Sequence, residues 1–253
     1  MMRNHPKALA DLAANYNADV ICLQETKLQE IHVDDPKLKI KGYLLEEQGY
    51  DSHYSCSTTK KGYSGTCVFV KRRSTDNTDK TKQTQSASKK KQQKQATLGN
   101  FFASSKEKAA PASQEAVDTI ANTDSNLVPQ SVSMKMGKDK HDGEGRIITV
   151  DYPLFSISNL YVPNSGQKLE RLDYRTKEWD TDLLEFMQKK EADRGVPVIW
   201  LGDLNVAHTA MEAWNEGAKH LAKSAGTTPE ERESFQNQLD AASAGGGGYV
   251  DAF

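Results

Sequence analysis

Five residues capable of polar chemistry stand where apolar runs stop. Glu25 closes VICLQE, Tyr161 and Asn164 fall in SNLYVPNSG, and Asp203 and Asn205 lie at the end of VPVIWLGDLN. An apolar run of this length reads as a buried strand, and a carboxylate or amide at its mouth is held rigidly over a cleft. The oxygen donors of Glu25, Asp203 and Asn205 suit a hard divalent cation, Mg²⁺ or Mn²⁺, and the phosphate such an ion holds. Each residue alone has a plainer reading. Glu25 is then a solvated acid paired with Lys27, GD is a common turn, and Asn164 and Asn205 are turn formers. Tyr161 is then a rim aromatic and His208 a structural histidine. The combination at three strand ends is what points to a metal or phosphate site.

Positioning these tips requires alternating elements, and the sequence supplies them. Residues 4–17 place Leu9, Leu12 and Tyr16 at helical spacing, with Asn4 or His5 as cap and Pro6 in the first turn. Residues 18–25 and 154–162 read as strands, as do GTCVFVKRR and GRIITVDY, rich in β-branched residues. Residues 168–190 predict an amphipathic helix with Leu172, Thr176, Trp179, Leu183 and Phe186 on one face. TTPEERESFQNQLDAA opens with a threonine cap and a proline, a second helix signature. Mixed strands and helices give an α/β or layered α+β domain.

Composition bounds the rest. The chain has 253 residues, Lys+Arg 33 against Asp+Glu 35, and a net charge of −2, so polyanion binding must come from local charge placement. A hydrophobic content of 36% is low for a packed globule of this length. The deficit lies in residues 74–140, rich in Lys, Gln, Ser and Thr, which read as a disordered insertion between two strands of one domain. The domain therefore comprises residues 1–73 and 141–253. No apolar run approaches the roughly eighteen residues of a membrane span, so no membrane partner is expected. Three cysteines, Cys22, Cys56 and Cys67, argue against a disulfide framework and for a reduced, intracellular setting.

The segments ICLQETK, GYSGT, HDGEGR, LYVPNSG, RLDYR and GDLNVAH, in this order, resemble the exonuclease III-type apurinic/apyrimidinic (AP) endonucleases of the endonuclease/exonuclease/phosphatase superfamily. The resemblance implies a DNase-like, four-layered α/β sandwich of two mixed sheets flanked by helices. It implies Mg²⁺-dependent cleavage of DNA 5′ to an abasic site in base excision repair, with 3′–5′ exonuclease and 3′-phosphodiesterase activity alongside. Under it Glu25 binds metal, Asp203 orients or deprotonates the attacking water, and Asn205 positions the phosphate within the same metal site. Tyr161 hydrogen-bonds the scissile phosphate or its leaving oxygen, and Asn164 supports that strand end. Tyr63 becomes a DNA-contacting aromatic, and Arg146, Arg171 and Arg175 become scaffold or phosphate-side residues. Gln167 stands where some relatives place a basic residue against the DNA. The family's N-terminal Asn-bearing strand and C-terminal Asp and His are not in this sequence. The expectation is thus an incomplete sandwich with little or no nuclease activity by itself. The alternatives are another phosphodiesterase or phosphatase of the same superfamily, or a non-catalytic clamp- or DNA-binding fragment.

Within the insertion, Gln95, Leu98, Phe101 and Phe102 fit Q-x-x-L-x-x-F-F and resemble the box that docks on the sliding clamp PCNA. One 3₁₀ turn puts Leu98 and the two phenylalanines together as a hydrophobic plug. The run KKKQQK at 89–94 reads as a nuclear import signal or a DNA tether. A nuclear location is expected, with an organelle as the alternative.

Overall fold

Alternation along the strands decides which side chains meet. The computed structural model describes residues 7–35, 37, 44–73, 123–243 and 246–252. Helix α1 (Ala8–Tyr16) leads into β1 (Val20–Leu23), α2 (Glu30–Asp34), β2 (Tyr50–Ser55) and β3 (Thr66–Lys71). The chain continues through α3 (Thr123–Asn126), β4 (Ser131–Ser133), α4 (Asp139–Asp142), β5 (Ile147–Asp151) and β6 (Ser156–Tyr161). A π-helical stretch (Tyr174–Trp179) runs into α5 (Asp180–Arg194), followed by β7 (Val198–Asp203) and α6 (Pro229–Asp240). Two sheets form, in the orders β1-β3-β2 and β4-β5-β6-β7. The larger is mixed, β6 and β7 being parallel and the other pairs antiparallel. The smaller is antiparallel throughout its described strands rather than mixed.

Period-two alternation sends side chains into three separate apolar layers. On β3, Cys67 and Phe69 pack with Ala13 of α1, Ile21 and Tyr50. Their neighbours Val68 and Val70 face the other sheet and meet Ile148, Val150 and Tyr152. Beyond the larger sheet, Ile147, Leu160 and Val198 pack against Trp179, Leu183 and Met187. The result is helix, sheet, sheet, helix, the expected four layers. Asn159 is wholly buried between the sheets. Its Nδ2 donates to the carbonyls of Leu23 and Cys67, both at 3.1 Å, and its Oδ1 accepts from Gln24 at 2.6 Å. A buried amide is tolerated there because its donors and its acceptor are all satisfied.

Several sequence expectations change in detail. Residues 123–140, assigned by composition to the insertion, belong to the domain, since β4 pairs with β5 from Ser131↔Asp151 to Ser133↔Thr149. Short polar strands at a sheet edge carry little hydrophobic signal. Residues 74–122, with the clamp-like box at Gln95, Leu98, Phe101 and Phe102, lie outside the described residues, as do Asn4, His5 and Pro6. On α1, Leu12 and Tyr16 are 42% and 79% exposed, and Ala13 is the buried position. In the 168–190 helix the π stretch resets the phase, so Trp179, Leu183 and Met187 are buried while Thr176 and Phe186 are only partly covered. The Asp180 amide donates to the Arg175 carbonyl five residues back, and the Arg175 Nε meets the Asp180 carboxylate at 3.1 Å. Among the described strands β7 is the outermost of its sheet, and Ile199 on it is 48% exposed. Thr228 caps α6 ahead of Pro229, as expected, and Glu231 completes a reciprocal capping box with it. No described helix is long and apolar enough to cross a membrane.

Helix α4 is fastened to α5 by charge. The Asp182 carboxylate meets Lys140 at 2.7 Å and the buried His141 Nε2 at 2.9 Å, and His141 Nδ1 meets the Tyr174 hydroxyl at 2.8 Å. Burial pushes the Asp182 carboxyl up, but hydrogen bonds from Lys140 and His141 and the charges of Lys140 and Lys138 outweigh it, holding it down at about 2. A carboxylate depressed in the fold stabilises above its unfolded value, and that contribution is lost as pH falls toward the folded value. Asp182→Asn is expected to lower stability at neutral pH by on the order of 1–2 kcal/mol. It should also flatten the loss of stability between about pH 4 and pH 2, measured by urea unfolding across that range.

Candidate active site

Strands β6 and β7 run parallel with Tyr161 opposite Asp203, the last residue of each. That adjacency depends on Gly202, which has φ +131° and sits opposite Leu160. A Cβ at Gly202 would lie 2.1 Å from the Leu160 carbonyl oxygen, so only glycine allows the strands to approach this closely. Beyond the strand, Asp203 Oδ1 accepts the Asn205 backbone N–H at 3.0 Å, and Asn205 takes the left-handed conformation that asparagine tolerates. Its Nδ2 donates to the Val162 carbonyl at 2.8 Å, and its Oδ1 accepts from Asn164 Nδ2 at 3.0 Å. Asn164 Oδ1 in turn accepts the Gly166 N–H at 2.9 Å. The two amides thus lock the β6 and β7 exits to each other.

Glu25 arrives from the other sheet. After β1 the chain turns with Glu25 and Lys27 both at positive φ, and the backbone amides of Thr26 and Lys27 donate to Gly65 and Ser64. This ties the LQETK segment to GYSG, and Gly65 is needed there because a Cβ would lie 2.5 Å from Thr26 Oγ1. Glu25 pairs with Lys27 at 3.0 Å, both side chains being more than half exposed. Its charge nevertheless reaches Tyr161. Burial pushes the Tyr161 phenol up, the negative charges of Glu25 and Asp203 push it further, and Arg146 opposes them. Two carboxylates from different sheets therefore act on one phenol, which stays protonated and able to donate at neutral pH. Among the described residues its hydroxyl has no hydrogen-bond partner.

Behind Tyr161 stands a cluster of two arginines, one acid and one phenol. Arg146 Nη1 donates to the Tyr161 carbonyl at 2.9 Å, Nη2 to the Tyr63 hydroxyl at 2.8 Å and Nε to Glu144 at 2.6 Å. Its guanidinium also lies 4.8 Å from the Tyr161 ring centroid. Arg171 donates to the same Tyr63 hydroxyl at 2.5 Å and to Glu144 at 2.9 Å. Burial pushes the Glu144 carboxyl up, but the two guanidiniums prevail and hold it below the usual carboxylate range. Arg146 and Arg175, expected as scaffold or phosphate-side residues and grouped with the DNA-binding ones, are 3% and 1% exposed with their donors engaged in the protein. The structure places them as scaffold, because a buried guanidinium already committed to protein acceptors cannot also reach a DNA phosphate. Arg175 donates to the Asn205 carbonyl at 3.0 Å, fixing the loop after β7. Arg171 and Tyr63 are half-buried at the rim.

Two contributors went unassigned in the sequence. Glu144 lies inside HDGEGR, but its partners are remote in the chain apart from Arg146. Glu231, wholly buried, accepts from Ser165 Oγ at 2.5 Å, Gly226 N at 2.7 Å and Thr228 Oγ1 at 2.8 Å, joining the PNSG loop to α6. The capping-box pattern reveals Glu231 as a helix cap, but not its bond to Ser165. Among the described residues no group of three His, Cys, Asp or Glu is placed to hold a metal. Glu25 and Asp203 offer the oxygen donors that Mg²⁺ commonly takes as one or two carboxylates while keeping several waters.

Comparison with known proteins agrees with this geometry. A family model described as "Endonuclease/Exonuclease/phosphatase family" matches residues 2–229. A DNA-(apurinic or apyrimidinic site) endonuclease of Dictyostelium discoideum is 32% identical over 248 residues, covering 98% of this chain and 48% of that protein. An exodeoxyribonuclease of Bacillus subtilis (strain 168) is 32% identical over 237 residues, covering 94% of this chain and 64% of that protein. The chain thus spans about half to under two thirds of these relatives' lengths. The crystal structure of the AP endonuclease LMAP from Leishmania major superposes with a TM-score of 0.61 at 24% identity, over 93% of this chain and 61% of that one, and shows the shared fold.

Removing the guanidinium that grips Tyr161 tests the scaffold. Arg146→Ala should destabilise the fold by about 3 kcal/mol, because Glu144 and Tyr63 lose a buried charged partner. Arg146→Lys should recover little, since one ammonium cannot match three divergent acceptors. Chemical denaturation of both variants measures the difference.

Proposed function

The chain belongs to the endonuclease/exonuclease/phosphatase family, and from that premise we propose that its strand-tip site hydrolyses the DNA phosphodiester 5′ to an abasic site. The observation that carries this reading is the convergence of Tyr161, Asp203, Asn205 and Asn164 at the paired ends of β6 and β7, where the charge of Glu25 from the other sheet is also felt. Its relatives named as an AP endonuclease and an exodeoxyribonuclease support DNA as the substrate class and repair as the setting. The same site serves 3′–5′ exonuclease and 3′-phosphodiesterase cleavage, which differ only in which ester is presented.

Asp203, its carboxylate oriented by the Asn205 amide, accepts the proton of a water attacking in line with the leaving oxygen. Tyr161 donates a hydrogen bond to the phosphate or its leaving oxygen, where negative charge grows. Asn205 Nδ2 carries two protons and gives one to Val162, leaving the other for a phosphate oxygen. Glu25 and Asp203, with the Asn205 side-chain oxygen, would hold Mg²⁺, which when bound would supply neutralisation of the phosphate charge. Asn164 holds Asn205 in register, and Tyr63 and Arg171 form the rim on the DNA side. With two acids at the site among the described residues, turnover by this chain is expected to be slow.

The discriminating assay offers the chain, with Mg²⁺, a duplex carrying one abasic site, an intact duplex, poly(A) and a phosphoinositide. The expected result is tight binding and slow incision of the abasic duplex alone, with Asp203→Asn lowering the rate by about 10²–10⁴-fold. Preferred turnover of poly(A) or the lipid would overturn it.

The clamp box and the lysine run are part of the same proposal, supported by sequence alone. Gln95, Leu98, Phe101 and Phe102 dock the chain on PCNA in the nucleus, with residues 89–94 as an import signal or a DNA tether. Phe101→Ala combined with Phe102→Ala should abolish capture by immobilised clamp, and undiminished capture would refute the docking.

A further inference from the structure

We propose that the loop spanning residues 207–226 is a stacking platform for an unpaired nucleobase, with Trp214 as its aromatic face and Lys219 and Lys223 as contacts to the adjoining phosphates. The inference rests on the nucleic-acid reading above and adds a recognition element to it. The loop is rooted at the site. The Ala207 amide donates to the Gly226 carbonyl at 2.7 Å, closing its ends, and a Cβ at Gly226 would lie 3.4 Å from the Asn205 carbonyl oxygen. Glu231 fixes the same root through the Gly226 amide.

The contents of the loop sort by use. Its two acids are engaged within the protein. Glu212 accepts from His208 N, Thr209 N and Thr209 Oγ1, and Glu216 takes the Arg232 guanidinium through two bonds of 3.2 and 3.1 Å. Lys219 and Lys223 are exposed and have no carboxylate partner among the described residues. Trp214 is 96% exposed and Met211 94%, whereas Trp179 is 1% exposed. An indole left almost wholly in water is unusual for a residue that ordinarily buries most of its surface. The same loop carries two cations with no carboxylate partner among the described residues, while its own carboxylates are occupied. The ligand complementary to that surface is flat, aromatic and attached to anions, as a nucleobase on its backbone is. Trp214 lies seven positions beyond Ala207 at the root, so its Cα is within roughly 25 Å of it. That is about seven nucleotides along one strand, within the footprint of a bound oligonucleotide.

The test uses the emission of Trp214, isolated by subtracting a Trp214→Phe variant, while a fluorescein-labelled duplex with a single-stranded 3′ overhang is titrated in. Anisotropy of the label reports binding independently. On saturation the Trp214 emission should be quenched and become inaccessible to acrylamide. Trp214→Ala should weaken binding by about 5- to 100-fold, while Trp214→Phe keeps most of the affinity. Saturable binding with unchanged Trp214 emission, or an unaltered Kd for Trp214→Ala, would overturn the platform and leave the nuclease reading standing. Failure of the unmodified chain to bind DNA at all would instead remove the nuclease reading and this inference with it. Quenching that grows with protein concentration in the absence of DNA would show that a second copy covers Trp214, and would also overturn the platform.

Discussion

The close approach of β6 and β7 at Gly202 is the constraint on which the rest of the site depends. With no side chain at that position, the parallel pair stays in register to its last residues and delivers Tyr161 and Asp203 side by side. The residues that follow, Asn164 on one exit and Asn205 on the other, can then pair through their amides. A bulkier residue at 202 would push the strands apart, displacing the phenol from the carboxylate and both amides from each other. The GD dipeptide is therefore a packing requirement first, and the chemistry is built on it.

Charges of both signs act on Tyr161. Arg146 grips its carbonyl and lies against its ring, backed by Arg171, with Glu144 bonding both guanidiniums. Against them, the negative charges of Glu25, which also pairs with Lys27, and of Asp203 reach the phenol. An arrangement of two nearby acids is unfavourable unless a cation completes it. That electrostatic gap is the physical reason to expect a divalent ion there. The buried arginines hold the Tyr161 carbonyl and the loop after β7 in place.

Much of this was legible from local pattern. Strands β3, β5, β6 and β7 announce themselves as apolar or β-branched runs, and the Thr-Pro-Glu-Glu start of α6 reads directly as a capped helix. The strand-end residues Glu25, Tyr161 and Asp203 were recognisable because a polar tip after an apolar run is a local event. Three features escaped for physical reasons. The π stretch depends on the ion pair between Arg175 and Asp180, whose spacing of five departs from the helical repeat. Strand β4 is polar and short, so composition placed it in the insertion. Glu144 and Glu231 work through partners tens of residues away, Arg171 and Ser165, and no local signal encodes such contacts. Arg146 and Arg175 show the converse. Their type suggested phosphate, but burial fixed them as struts.

The central claim is that Glu25 and Asp203, carried by different sheets, serve one divalent ion. Mn²⁺ binding, followed by electron paramagnetic resonance of the unbound ion, measures this most directly in the unmodified chain, Glu25→Gln, Asp203→Asn and the double variant. The account predicts one site in the unmodified chain, strongly weakened by either substitution, with the double variant little worse than the singles because both remove the same interaction. Independent, additive losses from two separate sites, or undiminished binding in either single variant, would contradict it.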